Sequence, residues 1–539
     1  MIGKLLTGAA LCALSATAMA GDASAAGFTG GAINGKPVER VLLISIDGMH
    51  ALDFANCAKG VAGGAPYCPN LAALARTGVN YTQAMTPKPS DSFPGLVALI
   101  SGASPFTSGT FYDVSYDRAL SGPKKTTPYG IPAGNCPSVV GTQVGFDEEV
   151  DFDLTKLDGG GGIDADYLPR DPKNGCAPVY PHTYIKVNTV FEVVKQAGGR
   201  TAWSDKHPSY DFTNGVSGTG VDDLYSPEIN SIPVGLPTVP GCNPLPDQTA
   251  VSNSNAWTDS FQNIQCYDSL KVKAIINEID GLDHTAAVRL GSPNLFGMNF
   301  QSVSVGQKLI EASINTNGGY ADAQGTPSTA LQGEIAFTDK AIGAMVAELK
   351  ARNKFETTAI IITAKHGQSP IDRTRLLRIP ADDTTKQPPS NFVTNVQADE
   401  DDISMLWLKD RSASGLATAL SALQNNATTI GANAGEIFYG PSLGLMFNTS
   451  DSRAPDIVVA PNVGVVYTGG KKKDAEHGGW ANDDRNVMLL VSHPVLTART
   501  YVAPVATQQV AATILSILGQ NPNALIGVRN EGVKALSGL

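Results

Sequence analysis

The sequence predicts an α/β fold: a mostly parallel central sheet flanked by helices, with long loop-rich insertions. Two observations carry this reading. Short continuous apolar runs, "RVLLISIDGM" (40–49), "TTAIIITAKHG" (357–367) and "RNVMLLVSHP" (485–494), read as buried strands, and segments of helical spacing lie between them. In addition, Asp47, His207 and Lys365-His366 each stand where a predicted strand runs out, although they are far apart in the chain. In open parallel sheets, functional residues collect at the carboxyl ends of the strands.

Taken in order, the strand at 40–49 ends in Asp47-Gly48, and "NLAALARTGV" (70–79) has helical spacing. "FPGLVALISG" (93–102) is a second helical stretch, opening just after a Ser/Asp/Pro cluster. "TVFEVVKQAGG" (189–199) is a helix with a glycine stop, and "RTAWSDKH" (200–207) a strand with its exit loop. "LKVKAIINEIDG" (270–281) and "FTDKAIGAMVAELKARN" (337–353) are helical. "DISMLWLKD" (402–410) and "GLATALSALQNN" (415–426) form a strand–helix pair, and "TQQVAATILSILG" (507–519) is a final helix. The Gly-, Pro- and Asn-rich tracts between these elements place insertions around 103–182, 208–265 and 380–470 in one domain spanning 30–539.

Lys4 is followed by "LLTGAALCALSATAMA", an apolar run too short to favour a membrane span and closed by Ala18-Met19-Ala20. Residues 1–20 are therefore expected to be a signal peptide, and the chain to be secreted or periplasmic. Six cysteines remain beyond Cys12: Cys57, Cys68, Cys136, Cys176, Cys242 and Cys266. An even set in an exported chain suggests disulfides, with Cys57–Cys68 the natural local pair and Cys136 and Cys176 placed to hold the first insertion. No CxxC or Cys/His pattern suggests a thiolate metal site. A net charge of −11 with no long basic run argues against duplex nucleic acid as a partner, but not against a small anionic substrate.

Ser92 stands immediately before a predicted helix, whose free N–H groups and positive dipole end favour an oxyanion nearby. The plainer alternative is that Ser90, Asp91 or Ser92 is simply the helix cap. A polar cluster at the exit of the 200–207 strand, with Trp203, Lys206 and His207, suggests a substrate wall or an acid/base group. The alternative there is a polar loop without function.

In order along the chain, "LLISIDGM", "SDSFPGLVALISGASPFTSGTFYDVSYD", "IIITAKHG" and "EHGGWANDDRNVMLLVS" resemble the alkaline phosphatase superfamily. Within it they are most similar to the type I phosphodiesterase/nucleotide pyrophosphatase branch. The resemblance implies an alkaline-phosphatase-like fold, Ser92 as nucleophile, and Asp47, His366 and His477 as metal ligands. It also places Asp113 where the family has an oxyanion-side Asn. The sulfatase branch fits less well, because Leu96 stands where its nucleophile motif has an arginine.

The sequence departs from this pattern. Lys365 replaces the Asp before His-Gly, and the mid-chain Asp and His fall near Val303 and Gln307. A lysine in a carboxylate's place is expected to lie beside Asp47 and Ser92, as a clamp or base or as a salt bridge to Asp47. The resemblance then implies one divalent ion at most, with zinc favoured over calcium or manganese, or none. Two readings follow: an exported hydrolase cleaving a small-molecule phosphoester or related ester through Ser92, or a catalytically weakened binding protein that keeps the cleft.

Overall fold

The computed structural model describes residues 27–61, 63–126, 133–145, 149–157, 161–231, 257–380, 382, 385–426, 435–467 and 472–539. The expected signal peptide (1–20) and Cys242 lie outside the described residues. Eight strands form the central sheet: β1 (Arg40–Ile46), β2 (Gly78–Tyr81), β3 (Thr201–Ser204), β4 (Asp223–Tyr225), β5 (Leu295–Phe300), β6 (Thr358–Thr363), β7 (Leu490–Ser492) and β8 (Arg499–Tyr501). Their spatial order is β4-β3-β5-β1-β6-β7-β2-β8. The first five run parallel, whereas β7 is antiparallel to both of its neighbours.

The two-residue period of a strand explains why β1 reads as an unbroken apolar run. Val41 and Leu43 enter one core with Ala359 and Ile361, packed against Leu96, Val97 and Ile100 of the helix Ser92–Ser101. Leu42, Ile44 and Ile46 enter the opposite core with Ile360 and Ile362, packed against the helices Phe261–Ile279 and Thr329–Ala351. Both faces are therefore covered, and the polar ends of the strands are left to form a site.

The stretch 70–79 is not one helix as its periodicity suggests. The helix Pro69–Ala75 stops, and Gly78 opens β2. The region 380–470 carries more sheet than the single expected strand. Val396–Glu400, Ser404–Leu408, Ile457–Ala460 and Glu436–Tyr439 pair antiparallel in that order around Leu406, Leu423 and Val459. These strands are short and alternate weakly, so packing rather than local pattern defines them. Two disulfides join Cys57 to Cys68 and Cys136 to Cys176, and Cys266 is also disulfide-bonded. Among the described residues no helix is long and apolar enough to cross a membrane.

Candidate active site

Four strand exits converge on the start of the helix Ser92–Ser101. Main-chain hydrogen bonds hold them in register: Asp47 N–H donates to Phe300 O at 3.0 Å, and Gly48 N–H to His366 O at 3.1 Å. The helix comes close because residue 95 has no side chain. A Cβ at Gly95 would lie 2.1 Å from the carbonyl oxygen of Lys365. Asp91 is the cap, its Oδ2 accepting from Phe93 N–H at 3.1 Å. Ser92, the first helical residue, is thereby released from capping.

The Ser92 hydroxyl lies between two groups of different kind. Lys206 Nζ donates to Oγ at 3.0 Å, and His366 Nε2 lies 3.1 Å from it. The imidazole tautomer follows from its other nitrogen. His366 Nδ1 is 2.9 Å from the carbonyl oxygen of Gly367, which can only accept, so Nδ1 carries a proton, and in the neutral ring Nε2 presents its lone pair to Ser92.

Asp47, fully buried, faces the same group. Its Oδ2 accepts from Gln301 Nε2 at 2.6 Å and Asn299 Nδ2 at 3.2 Å, and lies 3.7 Å from Lys206 Nζ and 3.5 Å from His366 Nε2. Burial works against its charge, but Lys365, His366 and Lys206 outweigh it and hold the carboxyl well below the usual range. His477 Nδ1 lies 3.0 Å from Asp91 Oδ1, and its ring centroid is 4.1 Å from that of His366. Burial and then the His366 charge push His477 down to about 4, against the pull of Asp91.

The direct partner of Lys365 is not Asp47 but Asp205, whose oxygens lie 2.7 and 3.0 Å from its ammonium, with both residues fully buried, although Lys365 remains the leading charge that favours ionised Asp47. The ammonium also lies 3.9 Å above the Tyr210 ring. Burial lowers it to about 8, even though Asp205 and Asp47 favour its charge. The cation in contact with the Ser92 hydroxyl is Lys206, expected from the sequence to bind substrate.

Trp203 is not a substrate wall. It is 1% exposed within the core, and its indole N–H donates to Asp205 Oδ2 at 2.9 Å. His207 is held by Glu228 at 2.8 Å and stacks on Tyr210, which supports the turn carrying Lys206. Asp113 Oδ1 accepts from the N–H of Val114 at 2.8 Å.

The mid-chain positions Val303 and Gln307 present no carboxylate or imidazole to the site. Val303 is in the core, and Gln307 donates to Gly48 O at 2.7 Å and Tyr320 Oη at 2.8 Å. The residue at the strand exit beside Asp47 is Gln301, immediately after β5. Locating the end of "LFGMNF" and applying the strand-exit rule would have found it.

This donor set does not fit a metal pair. Divalent ions of this class are held by carboxylate and imidazole groups. Here amide N–H groups and an ammonium occupy Asp47 Oδ2, while the Nε2 lone pair of His366 is turned to Ser92. Asp47 Oδ1 is without a hydrogen-bond partner among the described residues, as are Asp91 Oδ1 and His477 Nδ1. No three His, Cys, Asp or Glu side chains among those residues form a ligand set.

Residues 41–141 and 281–486 match the family described as type I phosphodiesterase / nucleotide pyrophosphatase. No curated protein matches the chain in sequence. Among solved structures, murine ectonucleotide pyrophosphatase / phosphodiesterase 5, an inactive threonine-to-alanine variant in complex with AMP, is similar. It superposes with a TM-score of 0.54 at 12% identity, over 90% of this chain and 96% of that one. The human counterpart gives 0.52 at 13% identity, over 89% and 95%.

Proposed function

Because this chain belongs to the type I phosphodiesterase / nucleotide pyrophosphatase family, we propose that it is an exported hydrolase that cleaves a small-molecule phosphoester or related anionic ester through Ser92. The observation that carries this reading is Ser92 Oγ held between an acceptor, His366 Nε2 at 3.1 Å, and a cation, Lys206 Nζ at 3.0 Å. Disulfides suit an oxidising compartment. The AMP bound by the murine relative is a phosphate ester of the proposed class.

His366 acts as general base and Ser92 as nucleophile. As Oγ bonds to the ester's central atom, its proton passes to His366 Nε2. The bond to the leaving oxygen breaks with its electron pair, and that oxygen takes the proton from His366. Water then attacks the seryl intermediate and gives a proton to His366, and the released Oγ recovers it. Asp47, 3.5 Å from Nε2, stabilises the imidazolium each time it forms. Lys206 and the N–H groups opening the Ser92–Ser101 helix face the charge that develops on the ester. Lys206 and His477, at 9% and 7% exposure, are the members of the group nearest solvent, so the substrate enters between them.

The test is turnover of p-nitrophenyl phosphate, bis-p-nitrophenyl phosphate and p-nitrophenyl sulfate by wild type and Ser92→Ala. The variant is expected to fold normally and to lose at least about 10³-fold in kcat. Full activity in the variant overturns the nucleophile assignment. A wild type inert on all three esters favours the binding-protein reading.

A further inference from the structure

We infer that Asp268 and Lys271, a buried ion pair on the helix Phe261–Ile279, are positioning residues that hold the exit of β5 so that its two amides grip Asp47. The inference rests on the proposed hydrolase reading, and adds to it the device that fixes the carboxylate facing His366.

Asp268 and Lys271 stand three residues apart on one helix face, and both are 0% exposed. Lys271 Nζ lies 3.0 Å from Asp268 Oδ1 and 4.5 Å from the centre of the Tyr267 ring. A buried ion pair is a weak source of stability compared with apolar residues of similar volume. What this one does supply is a donor and an acceptor for a stretch of β5 that the sheet leaves open. β3 pairs with β5 as far as Met298, opposite Ser204, whereas β1 follows β5 to Phe300. Beyond Met298, the main-chain groups on the β3 side need other partners. Lys271 Nζ donates to Asn299 O at 2.7 Å. Gln301 N–H donates to the two Asp268 oxygens at 3.1 and 2.9 Å. Ser302 donates to Asp268 Oδ2 through its N–H at 2.8 Å and its Oγ at 2.6 Å. The backbone from Asn299 to Ser302 is thereby clamped to the helix.

Asn299 and Gln301 are two residues apart, so their side chains leave the strand on the same side. Asn299 Nδ2 and Gln301 Nε2 both donate to Asp47 Oδ2, at 3.2 and 2.6 Å. Holding the backbone at 299–302 therefore holds both amides, and the amides set where Asp47 Oδ2 stands, 3.5 Å from His366 Nε2. A displacement of about 1 Å at a reacting group costs about 10²-fold in rate.

The experiment measures kcat and KM on the p-nitrophenyl ester that wild type turns over best, with urea unfolding of each full-length protein alongside. Asp268→Asn and Gln301→Met are each expected to lose about tenfold or more in kcat, with KM moving less. Asp268→Asn/Gln301→Met should be no slower than the slower single variant, because both changes act through one amide–carboxylate contact. Glu278→Gln, which loosens the pair with Arg200 at the C-terminal end of the same helix, should lower stability and leave kcat unchanged.

Losses in kcat that multiply in the double variant overturn the inference, since Asp268 then acts elsewhere. Should Asp268→Asn fail to fold, Asp268→Asn/Lys271→Met removes both charges together and carries the test, with its crystal structure. That structure is expected to show β5 still paired with β1, and Gln301 Nε2 out of hydrogen-bond reach of Asp47. Gln301 still on Asp47, or Ser92-dependent turnover with kcat within about twofold of wild type, refutes this inference alone. A wild type inert on every ester, with Gln301 displaced in the variant, refutes the hydrolase reading alone.

Discussion

Replacing Lys365 by methionine removes an ammonium from a fully buried carboxylate. Asp205 would keep two neutral donors, the Trp203 indole N–H and the Lys206 backbone N–H, each at 2.9 Å, but no opposite charge in contact. Breaking a buried pair on one side costs about 3–5 kcal/mol, and the two retained hydrogen bonds place this case near the lower figure. Removing the charge on the other side as well, in Lys365→Met/Asp205→Asn, should recover about 2 kcal/mol of that loss, because no uncompensated carboxylate remains. Lys365→Asp should be worse than Lys365→Met, since it sets a second carboxylate against Asp205 instead of completing a ligand set at Asp47. Urea unfolding with intact disulfides, followed by tryptophan fluorescence and circular dichroism, measures all four proteins. A Lys365→Met variant within about 1 kcal/mol of wild type, or a double variant no more stable than the single, refutes the pairing.

Two further outcomes follow from the geometry. Gly95→Ala sets a methyl group 2.1 Å from the Lys365 carbonyl oxygen, so it should cost about 1–3 kcal/mol and separate Ser92 from His366, lowering kcat more than it raises KM; unchanged stability and kcat would show that the helix does not pack there. His477 is held at about 4 against an ordinary 6.5, so the folded chain binds fewer protons than the unfolded one in that window. Its contribution is complete above pH 6.5 and is lost as pH falls toward 4, about 3 kcal/mol in all. His477→Gln should flatten that part of the stability–pH curve, and an unchanged slope counts against a buried neutral imidazole.

The sequence by itself determined four of the eight central strands (β1, β3, β6 and β7), the helix that opens at Ser92 and the strand exits at Asp47 and His366. Continuous apolar runs and helical periodicity are local signals, and the runs at 40–46 and 358–363 are buried on both faces wherever they pair. The ordered motifs gave the family for the same reason. The tertiary structure alone decided which charge meets which. Lys365 and Lys206 both leave strands at the same end of the sheet, and neither spacing nor composition tells which ammonium reaches Asp205 and which reaches Ser92. That choice depends on the neighbouring register of β3, β5 and β1 and on the close helix contact at Gly95. Gln301 is not legible as a partner of Asp47, because an amide one residue past an apolar run carries no local signal of the carboxylate it meets across the sheet. The short strands of 396–460 were equally hidden, since their pairing partners are separated by up to about fifty residues and only packing selects them.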